Sequence, residues 1–326
     1  MISAFKWWWG LLLAFGLLAV SRLFLPLPFL NEVIVFSIYT MGCNFLLGRL
    51  NFISFGQPAY LAAGAYSTAF YMVYFGSNPF AGILFGILGG IVVSLIVGPL
   101  FVRLRGDYFA MVNLALTAIF FYLTEKTLVS ITNGDNGLWF LTSMDSTPLL
   151  DITRPGGFFT FALISAFLIW AFLKYLDDSM YGACCLATKA NEDKLKFLGY
   201  DTFKVRLFAF VLANTVTAFA GALYAIYFGF VSPEVASLHR VADPVVVTLL
   251  GGVGTLYGPI VGSLAYTGLK DVLSEIVGNW ELIIGFLLVF IMLVGEKGIW
   301  GTLEPLLRKL FFGRKAKETT IAGGVQ

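Results

Sequence analysis

Few residues of this chain could perform chemistry, and they do not form a recognisable reactive site. The single histidine, His239, has no partner for a metal site or a catalytic triad. Cys43, Cys184 and Cys185 are not spaced as a metal or redox motif. The glycine-rich run at 251–258 contains G-x-G but lacks the third glycine and the Lys-Ser/Thr pair of a nucleotide-binding loop. We therefore expect no catalytic residue, no metal site and no cofactor bound by this chain, which is not expected to be an enzyme.

The one concentrated group of charges is the stretch LATKANEDKLKFLGY at residues 186–200. It holds five charged side chains in fifteen residues and lies between long apolar runs. Residues 187–198 predict a three-turn amphipathic helix of about 18 Å, with Leu195, Phe197 and Leu198 as an apolar patch. Gly199 suits the left-handed end of such a helix. A short helix of this kind can press into a groove on a soluble partner, and an ordinary solvated loop fits the same residues equally well.

The elements that carry this stretch belong to a membrane protein. The chain has 326 residues, of which 59% are hydrophobic and only 12% are charged, and its mean hydropathy is +0.86. Soluble domains carry about 25% charged residues, and continuous apolar runs of about 20 residues indicate transmembrane helices rather than strands. We predict an all-α, polytopic transmembrane helical bundle at residues 1–303, followed by a basic cytoplasmic tail at 304–326. The net charge of +2 gives no electrostatic footprint for a nucleic acid.

Hydropathy and helix breakers predict about ten crossings. They cover residues 7–25, 29–47, 52–75, 80–101, 108–130, 158–176, 205–230, 242–250, 257–276 and 280–294. The eighth is short, since nine helical residues rise only about 14 Å, and it is expected to cross as a broken or partly unwound helix. The first resembles a cleavable secretory signal in part, but its three tryptophans and the apolar sequence that follows favour an uncleaved span.

Lys and Arg residues in the short loops set the predicted orientation. Arg49, Arg103 and Arg105 fall on the same side as the basic residues of 189–206 and of the tail if both termini are cytoplasmic. We therefore expect an N-in, C-in topology with a cytoplasmic loop at 177–204. The polar loop 131–157 is then periplasmic.

Polar residues recur at helical spacing inside two of the predicted spans. Asn113, Thr117 and Thr124 do so in the fifth, and Asn214 and Thr217 do so in the seventh. Because unpaired polar groups are costly in hydrocarbon, these side chains must face protein or water. They are either hydrogen-bonding contacts between helices or the lining of a polar, uncharged translocation path.

Four stretches, in order, resemble a known family of transport proteins. They are RLRGDYFAMVNLAL at 103–116, TNGDNGL at 132–138, ATKANEDKLKFLGY at 187–200 and LLGGVGTLYGPIVGS at 249–263. They are similar to sequence blocks of the permease subunits of ATP-binding-cassette importers, and within them of the M-type subunit of the high-affinity branched-chain amino-acid system. The motif residues in this sequence are Arg105, Gly106, Tyr108, Gly134, Gly137, Gly251, Gly252, Gly254, Thr255, Gly258 and Pro259. The sequence departs from the family pattern at Lys189, where Arg is usual, at Lys194 and Leu195, where alanines are usual, and at Asn113, where Thr is usual.

The resemblance implies that residues 187–200 form a coupling helix docked on a separate ATPase. The residues it assigns to coupling are Ala187, Lys189, Glu192, Asp193, Leu198 and Gly199. It also implies a complex with a second, H-type permease subunit, two cassette ATPases that use ATP and Mg, and a periplasmic or lipid-anchored solute-binding protein. This complex would lie in the lipid of a bacterial or archaeal cytoplasmic (inner) membrane, with the loops 131–157 and 232–244 available to the binding protein.

The function that the resemblance implies is that of a permease subunit importing branched-chain or other hydrophobic amino acids. Transport would proceed by alternating access driven by the ATPase subunits. Two alternatives stay open. An importer of urea or short amides shares the family, and the sequence does not separate it because a binding protein largely sets specificity. An ion-coupled secondary carrier is a different class and predicts uptake without any ATPase.

Overall fold

The computed structural model describes residues 25–146, 151–276 and 298–302, together with positions 16, 22, 282–283 and 285–286. Most of the predicted first span, most of the last span and the whole tail lie outside these described residues. The α-helices of residues 25–146 and 151–276 are, in chain order, α1 (Leu27–Leu50), α2 (Gln57–Tyr74), α3 (Pro79–Phe101), α4 (Asp107–Tyr122), α5 (Val129–Thr132), α6 (Pro155–Asp178), α7 (Met180–Ala190), α8 (Glu192–Phe197), α9 (Thr202–Phe228), α10 (Asp243–Gly251) and α11 (Gly258–Ile276).

Strand structure in the described residues is confined to one short antiparallel pair. β1 (Leu138–Trp139) pairs with β2 (Phe230–Val231), with Leu138 opposite Val231. A π-helical turn, Leu123–Thr127, follows α4. The all-α prediction is confirmed.

Five helical stretches among the described residues are long and apolar enough to cross a membrane. They are Leu27–Leu50, Pro79–Phe101, Asp107–Thr127, Pro155–Asp178 and Thr202–Phe228. Each lies within a few residues of a predicted span, so the chain is a multi-pass, helical membrane protein. The total of ten crossings and the orientation of the termini stay predictions.

The centre of the bundle is α9, which packs against α1, α2 and α3. A Cβ at Gly64 of α2 would lie 2.0 Å from the carbonyl oxygen of Ala218, and one at Gly42 of α1 would lie 2.5 Å from that of Ala213. The helix backbones therefore touch where these glycines lie, as small residues permit in membranes. By contrast, only 28% of the apolar window of α3 is buried, against 89% of that of α1. The outer helices thus keep an apolar surface for lipid or another subunit.

Residues 51–56 form an irregular segment, although the sequence predicts a span beginning at residue 52. The α2 helix starts only at Gln57, with Pro58 at its second position. Proline lacks the N–H, and its ring would clash with a preceding helical carbonyl, so a helix that began at residue 52 would be kinked or broken at Pro58, which fits the first turn of a helix instead. The predicted start of this span is therefore wrong. The irregular segment begins directly after α1 with Asn51, which adopts the left-handed conformation with φ 57°.

This irregular segment returns the chain to the middle of the bundle. Gly42 of α1 and Gln57 of α2 both contact Thr217, so they lie at the same depth. Beyond Gly42, α1 continues to Leu50 for about 12 Å. Residues 51–56 then run back over that distance. Because Thr217 lies within one turn of the midpoint of α9, the N-terminus of α2 is in the bundle interior rather than at its end.

The short predicted span at 242–250 is observed as α10, which has nine residues. Irregular residues 252–257 then lead into α11. This second irregular segment packs on the last turns of α1, where a Cβ on Gly48 would lie 2.4 Å from the Cα of Gly254. The helix is therefore interrupted as predicted, and its crossing of the membrane stays a prediction.

Candidate functional site

The charged stretch lies at one end of the bundle, which we call the charged end and define as residues 177–204. The single helix predicted at 187–198 is wrong, because α7 ends at Ala190 and Asn191 is extended, with φ −162° and ψ 99°. The side-chain oxygen of Asn191 accepts a hydrogen bond from the backbone N–H of Lys194 at 3.0 Å. Asparagine is favoured at this capping position because its side chain satisfies an otherwise free N–H. The sequence therefore breaks here into two helices.

The end of α8 agrees with the prediction for Gly199. This residue has φ 85°, in the left-handed region, and its N–H donates to the carbonyl of Lys196 at 2.9 Å. Glycine adopts this conformation without the strain that a Cβ would cause. The chain can therefore turn directly from α8 towards α9.

Glu192 is the centre of a group of ion pairs at the charged end. Its Oε2 atom lies 2.9 Å from Arg105 and 3.1 Å from Arg206. Its Oε1 atom lies 2.9 Å from Lys196 and accepts a hydrogen bond from Thr202 at 3.1 Å. Arg105 precedes α4 and Arg206 belongs to α9, so one carboxylate joins three elements. We call these five residues the Glu192 cluster.

The surroundings of Glu192 favour its ionised form. Burial alone would raise the pKa of this carboxyl, but the hydrogen bond from Lys196 and the charges of Arg206 and Arg105 outweigh burial and hold the pKa below its ordinary value. The side chain is only 11% exposed. Glu192 therefore contacts the protein's own helices and holds α8 in position.

The outward side of α8 presents two exposed apolar side chains. Phe197 is 92% exposed and Leu198 is 74% exposed. Leu195, predicted to share this patch, is buried instead, and Asp193 is exposed nearby. Large apolar side chains in water at a position fixed by ion pairs indicate a contact surface. Phe197 was not among the residues assigned to coupling, although an aromatic residue within a polar stretch is a readable signal.

The charged end is also attached to the last turns of α1. Lys189 donates from Nζ to the carbonyl of Gly48 at 3.0 Å, and Arg49 forms an ion pair with Asp177 at the end of α6. The last carbonyls of a helix lack helical partners and carry partial negative charge, so cations are favoured there. Ala187, in contrast, is half-buried on α7.

Four of the five polar residues predicted for a translocation path come together in the middle of the bundle. Asn113 and Thr117 on α4 and Asn214 and Thr217 on α9 are all 0% exposed. They surround residues 54–57, where the irregular segment meets α2. We call these residues together the mid-bundle polar cluster.

Hydrogen bonds connect α2 and the segment before it to both neighbouring helices. Thr217 donates to Gln57 Oε1 at 2.6 Å, and Gln57 Nε2 donates to Asn214 Oδ1 at 3.4 Å. Thr117 donates to the carbonyl of Phe55 at 3.1 Å. Gln57 and Phe55 were missed by sequence reasoning. Pro58 was the available signal, because it requires an interruption in an otherwise apolar run.

The fifth predicted residue, Thr124, is not part of this cluster. It lies on the π-helical turn and donates to the carbonyls of Phe120 and Phe121 within its own helix. Its own carbonyl accepts a hydrogen bond from Thr132 at 2.7 Å. Thr124 therefore helps to join α4 to the loop at the opposite end of the bundle.

Several buried polar atoms of the mid-bundle cluster lack a hydrogen-bond partner. They include Asn113 Oδ1, Asn214 Nδ2 and Ser54 Oγ, and the hydroxyl of Tyr60 one turn along α2 is also unpartnered. Asn113 Oδ1 points at Gly56, where a Cβ would lie 2.6 Å from it.

Asn44 of α1 is a useful contrast, because both ends of its amide are bonded. It contacts the second irregular segment, donating to the carbonyl of Thr255 and accepting from the N–H of Gly254, each at 2.8 Å. A buried asparagine in this bundle can therefore be fully satisfied.

The motif residues of the first block lie beside the charged end, at the start of α4. Arg105 belongs to the Glu192 cluster. Gly106, with φ 56°, precedes the first residue of α4. Tyr108 is 74% exposed. This block therefore contributes to holding α8 as well as to starting α4.

The motif residues of the other blocks lie at turns and helix starts. Gly134 and Gly137 have positive φ in the loop before β1, and Gly252 and Gly254 have positive φ between α10 and α11. Thr255 caps α11, since its Oγ1 accepts from the N–H of Gly258 at 3.1 Å. Gly251 packs on Gly258, and Pro259 is the second residue of α11.

The chain is similar over most of its length to known permease proteins. The model of a family described as "Branched-chain amino acid transport system / permease component" matches residues 25–293. The high-affinity branched-chain amino acid transport system permease protein LivM of Salmonella typhimurium is 25% identical over 304 residues, covering 84% of this chain and 69% of the relative. The probable branched-chain amino acid transport permease protein LivM of Methanocaldococcus jannaschii is 25% identical over 285 residues, covering 84% and 81%.

A relative with a different cargo in its name matches a shorter region. The autoinducer 2 import system permease protein LsrC of Yersinia pseudotuberculosis is 28% identical over 184 residues, covering 54% of this chain and 51% of the relative. No solved structure matches the chain.

Proposed function

Because the chain belongs to the family of branched-chain amino acid transport system permease components, we propose that it is the membrane-spanning subunit of an ATP-driven importer of branched-chain and other hydrophobic amino acids. The LivM relatives carry this cargo in their names. ATP and Mg are used by separate cassette ATPases, so this chain needs no ATP site of its own. The complex works in the cytoplasmic membrane of a bacterium or archaeon.

The observation that carries the proposal is the construction of α8. It presents Phe197 and Leu198 to solvent, while Glu192 ties the same helix to Arg105 and Arg206. An apolar groove on an ATPase would cover the two exposed side chains. A displacement of α8 by the ATPase would then move the start of α4 and α9 as well, because short ion pairs connect them to Glu192.

The same two helices support alternating access. Both α4 and α9 carry members of the mid-bundle polar cluster about two to three turns from the Glu192 cluster. Displacement of their ends at the charged end would therefore change the packing around residues 54–57. Rigid helices that shift as units are a common way to convert a local push into a gate.

Surfaces that the described part of the chain leaves uncovered support the remaining partners of the proposed complex. A second, H-type permease would pack on the apolar outer helices, which are mostly unburied. A solute-binding protein would dock at the end opposite to the charged end, where β1 and β2 join two loops and Trp139 is 67% exposed. The complex would contain two ATPases.

The direct test is transport by reconstituted vesicles. We expect leucine uptake when this chain, the second permease, the ATPases, the binding protein and ATP are all present, and none by this chain alone. Leucine uptake driven by an ion gradient without ATPases would instead indicate a secondary carrier. ATP-dependent uptake of urea without leucine uptake would overturn the assigned cargo and retain the importer.

The docking surface is tested by making it polar. The double substitution Phe197→Ser and Leu198→Ser should weaken ATPase binding to the purified permease pair more than tenfold. Met180→Ser, at an equally exposed position (73%) on α7, is the matched control and should bind within twofold of the unaltered protein. Equal losses in both variants would show that α8 is not a specific docking surface.

A further inference from the structure

The unpartnered atoms of the mid-bundle polar cluster need a physical explanation. A buried donor or acceptor without a partner destabilises a folded protein, and most buried polar atoms in native proteins are bonded. Asn113, Asn214 and Ser54 each leave one such atom; Asn113 lies against Gly56, Asn214 is bonded to Gln57, and Ser54 belongs to the same irregular segment. Asn44, at the other irregular segment, leaves none. The cluster therefore brings three unpartnered polar atoms together around residues 54–57.

The location of these atoms is the middle of the membrane-spanning bundle, at the start of an interrupted helix. The N-terminus of α2 lies beside Asn214, near the midpoint of α9. A helix N-terminus carries partial positive charge. In transporters with discontinuous helices, such ends near the midplane face anionic groups of the substrate.

The chemistry of the free atoms suits a zwitterion. Asn214 Nδ2 is a donor and lies next to the positive end of α2, an arrangement that favours a carboxylate. Asn113 Oδ1 and Ser54 Oγ are acceptors, which an ammonium group can satisfy. The polar side chains of the cluster are uncharged, so they match a ligand whose own charges sum to zero.

Aromatic rings lie one helical turn from the polar residues. Phe109 precedes Asn113, Phe210 precedes Asn214, and Tyr60 follows Gln57. The ring of Phe210 lies 5.9 Å from that of Phe109 and 5.7 Å from that of Tyr60. A ligand with a polar head and an apolar side chain would find both kinds of contact here.

We propose that the mid-bundle polar cluster is a cargo site that binds the head group of a hydrophobic amino acid. Asn214 and the N-terminus of α2 bind the carboxylate, Asn113 and Ser54 bind the ammonium group, and the rings of Tyr60, Phe109 and Phe210 contact the side chain. The cluster is closed in this conformation and opens as α4 and α9 move. The identity of the cargo rests on the proposed function.

Asn214→Asp is the sharpest test, because it changes one free atom and preserves a bond. The substitution keeps Oδ1, which accepts from Gln57, and replaces the unpartnered amide donor with an oxygen. In the complete reconstituted transporter we expect leucine uptake to fall at least tenfold. ATP hydrolysis stimulated by leucine-loaded binding protein should stay within twofold of the unaltered complex. This split between transport and hydrolysis is not expected of a merely structural role.

The matched control is Thr215→Val on the same helix. Thr215 is half-buried and donates to the carbonyl of Val211 in its own helix, at 2.7 Å. Leucine uptake by the Thr215→Val complex should therefore equal that of the unaltered complex. If Asn214→Asp does not assemble, Asn113→Leu removes the other free amide atom and is judged by the same two measurements.

Each outcome separates the site from the proposed function. Leucine uptake by the unaltered complex together with normal uptake by the assembled Asn214→Asp variant would overturn the site and leave the importer intact. Loss of uptake and of stimulated hydrolysis together, in both asparagine variants, would assign the cluster to structure and also overturn the site. Absence of ATP-dependent amino-acid uptake by the unaltered complex would overturn both.

Discussion

The Glu192 carboxylate at the charged end and the two asparagine amides of the mid-bundle polar cluster satisfy their hydrogen bonds in opposite ways. At the charged end, the Glu192 carboxylate accepts contacts from four side chains of three elements. In the middle of the bundle, Asn113, Asn214 and Ser54 each keep a buried polar atom without a partner. The carboxylate is thus the more completely bonded group, although Arg206 Nε in the same cluster and Asp177 Oδ1 at the charged end also lack a hydrogen-bond partner.

The difference fits different roles for the two groups, force transmission for the Glu192 carboxylate and ligand binding for the mid-bundle amides. A fully paired carboxylate resists displacement, so it can transmit a force between α8 and the helices behind it. Unpaired polar atoms cost stability in the resting state, and a ligand that supplies partners recovers that cost. On this view the contacts of the Glu192 cluster persist during the transport cycle, whereas those of the mid-bundle polar cluster change.

The largest expected effect comes from removing the fully paired Glu192 carboxylate. Glu192→Ala leaves Arg206, a cation only 10% exposed, without its partner. Removal of one member of a buried ion pair costs about 3 kcal/mol or more, so α8 should lose its fixed position and ATP-dependent uptake should fall by about a hundredfold. Vesicle uptake assays, with membrane insertion checked by surface labelling, measure this.

Asp193→Ala is the control for that experiment. The Asp193 side chain is 73% exposed, and surface ion pairs contribute little, so uptake should stay within twofold. A severe loss in Asp193→Ala with normal uptake in Glu192→Ala would reverse the roles assigned to the two acids.

A smaller effect is expected when a satisfied bond of the middle is removed. Thr217→Val deletes the hydroxyl that donates to Gln57 at 2.6 Å and leaves the Gln57 oxygen buried. The free energy of unfolding should fall by about 2 kcal/mol, measured by thermal unfolding in detergent. Thr215→Val should lower it less. Equal losses in the two variants would indicate that the hydrogen bond to Gln57 contributes no more to stability than the bond of Thr215 within its own helix.

The comparison is sharpened by removing a polar atom that has no partner. Tyr60→Phe deletes a buried, unbonded hydroxyl, so the free energy of unfolding should rise by about 1 kcal/mol. Tyr181→Phe is the opposite case, because that hydroxyl donates to the carbonyl of Val205 at 2.7 Å, and it should lower stability by a similar amount. Destabilisation by both substitutions would contradict the difference drawn between the two hydroxyls.

The smallest expected effect is that of pH on the Glu192 cluster. Because the folded state lowers the pKa of Glu192, the stabilisation is complete above the ordinary pKa of a glutamic acid, about 4.3. It is lost as pH falls through the lowered pKa. Thermal stability should therefore be insensitive to this group between about pH 8 and pH 5 and should decline below. Glu192→Gln should remove that part of the acid decline, and an unchanged pH profile would contradict the assignment.

Much of the helical framework could be predicted from the sequence, because the signals are local. Apolar runs placed α1, α3, α6 and α9 within a few residues, since hydrocarbon requires long apolar helices whatever their neighbours are. Gly199 could be recognised as a helix end for the same reason, because the left-handed conformation favours glycine locally. The start of α2 was misplaced although Pro58 was visible, because hydropathy does not register a proline inside an apolar run.

The sequence by itself determined that this chain is a helical membrane protein with a polar loop between two long helices. Only the tertiary structure decided what the polar residues do. Glu192 meets Arg105 across 87 positions of the chain and Asn214 meets Gln57 across 157. A long-range ion pair or hydrogen bond exists only after helices have packed, so no local pattern specifies it. For the same reason, the Glu192 carboxylate came to be fully paired while the amides of Asn113 and Asn214 were each left with a free atom.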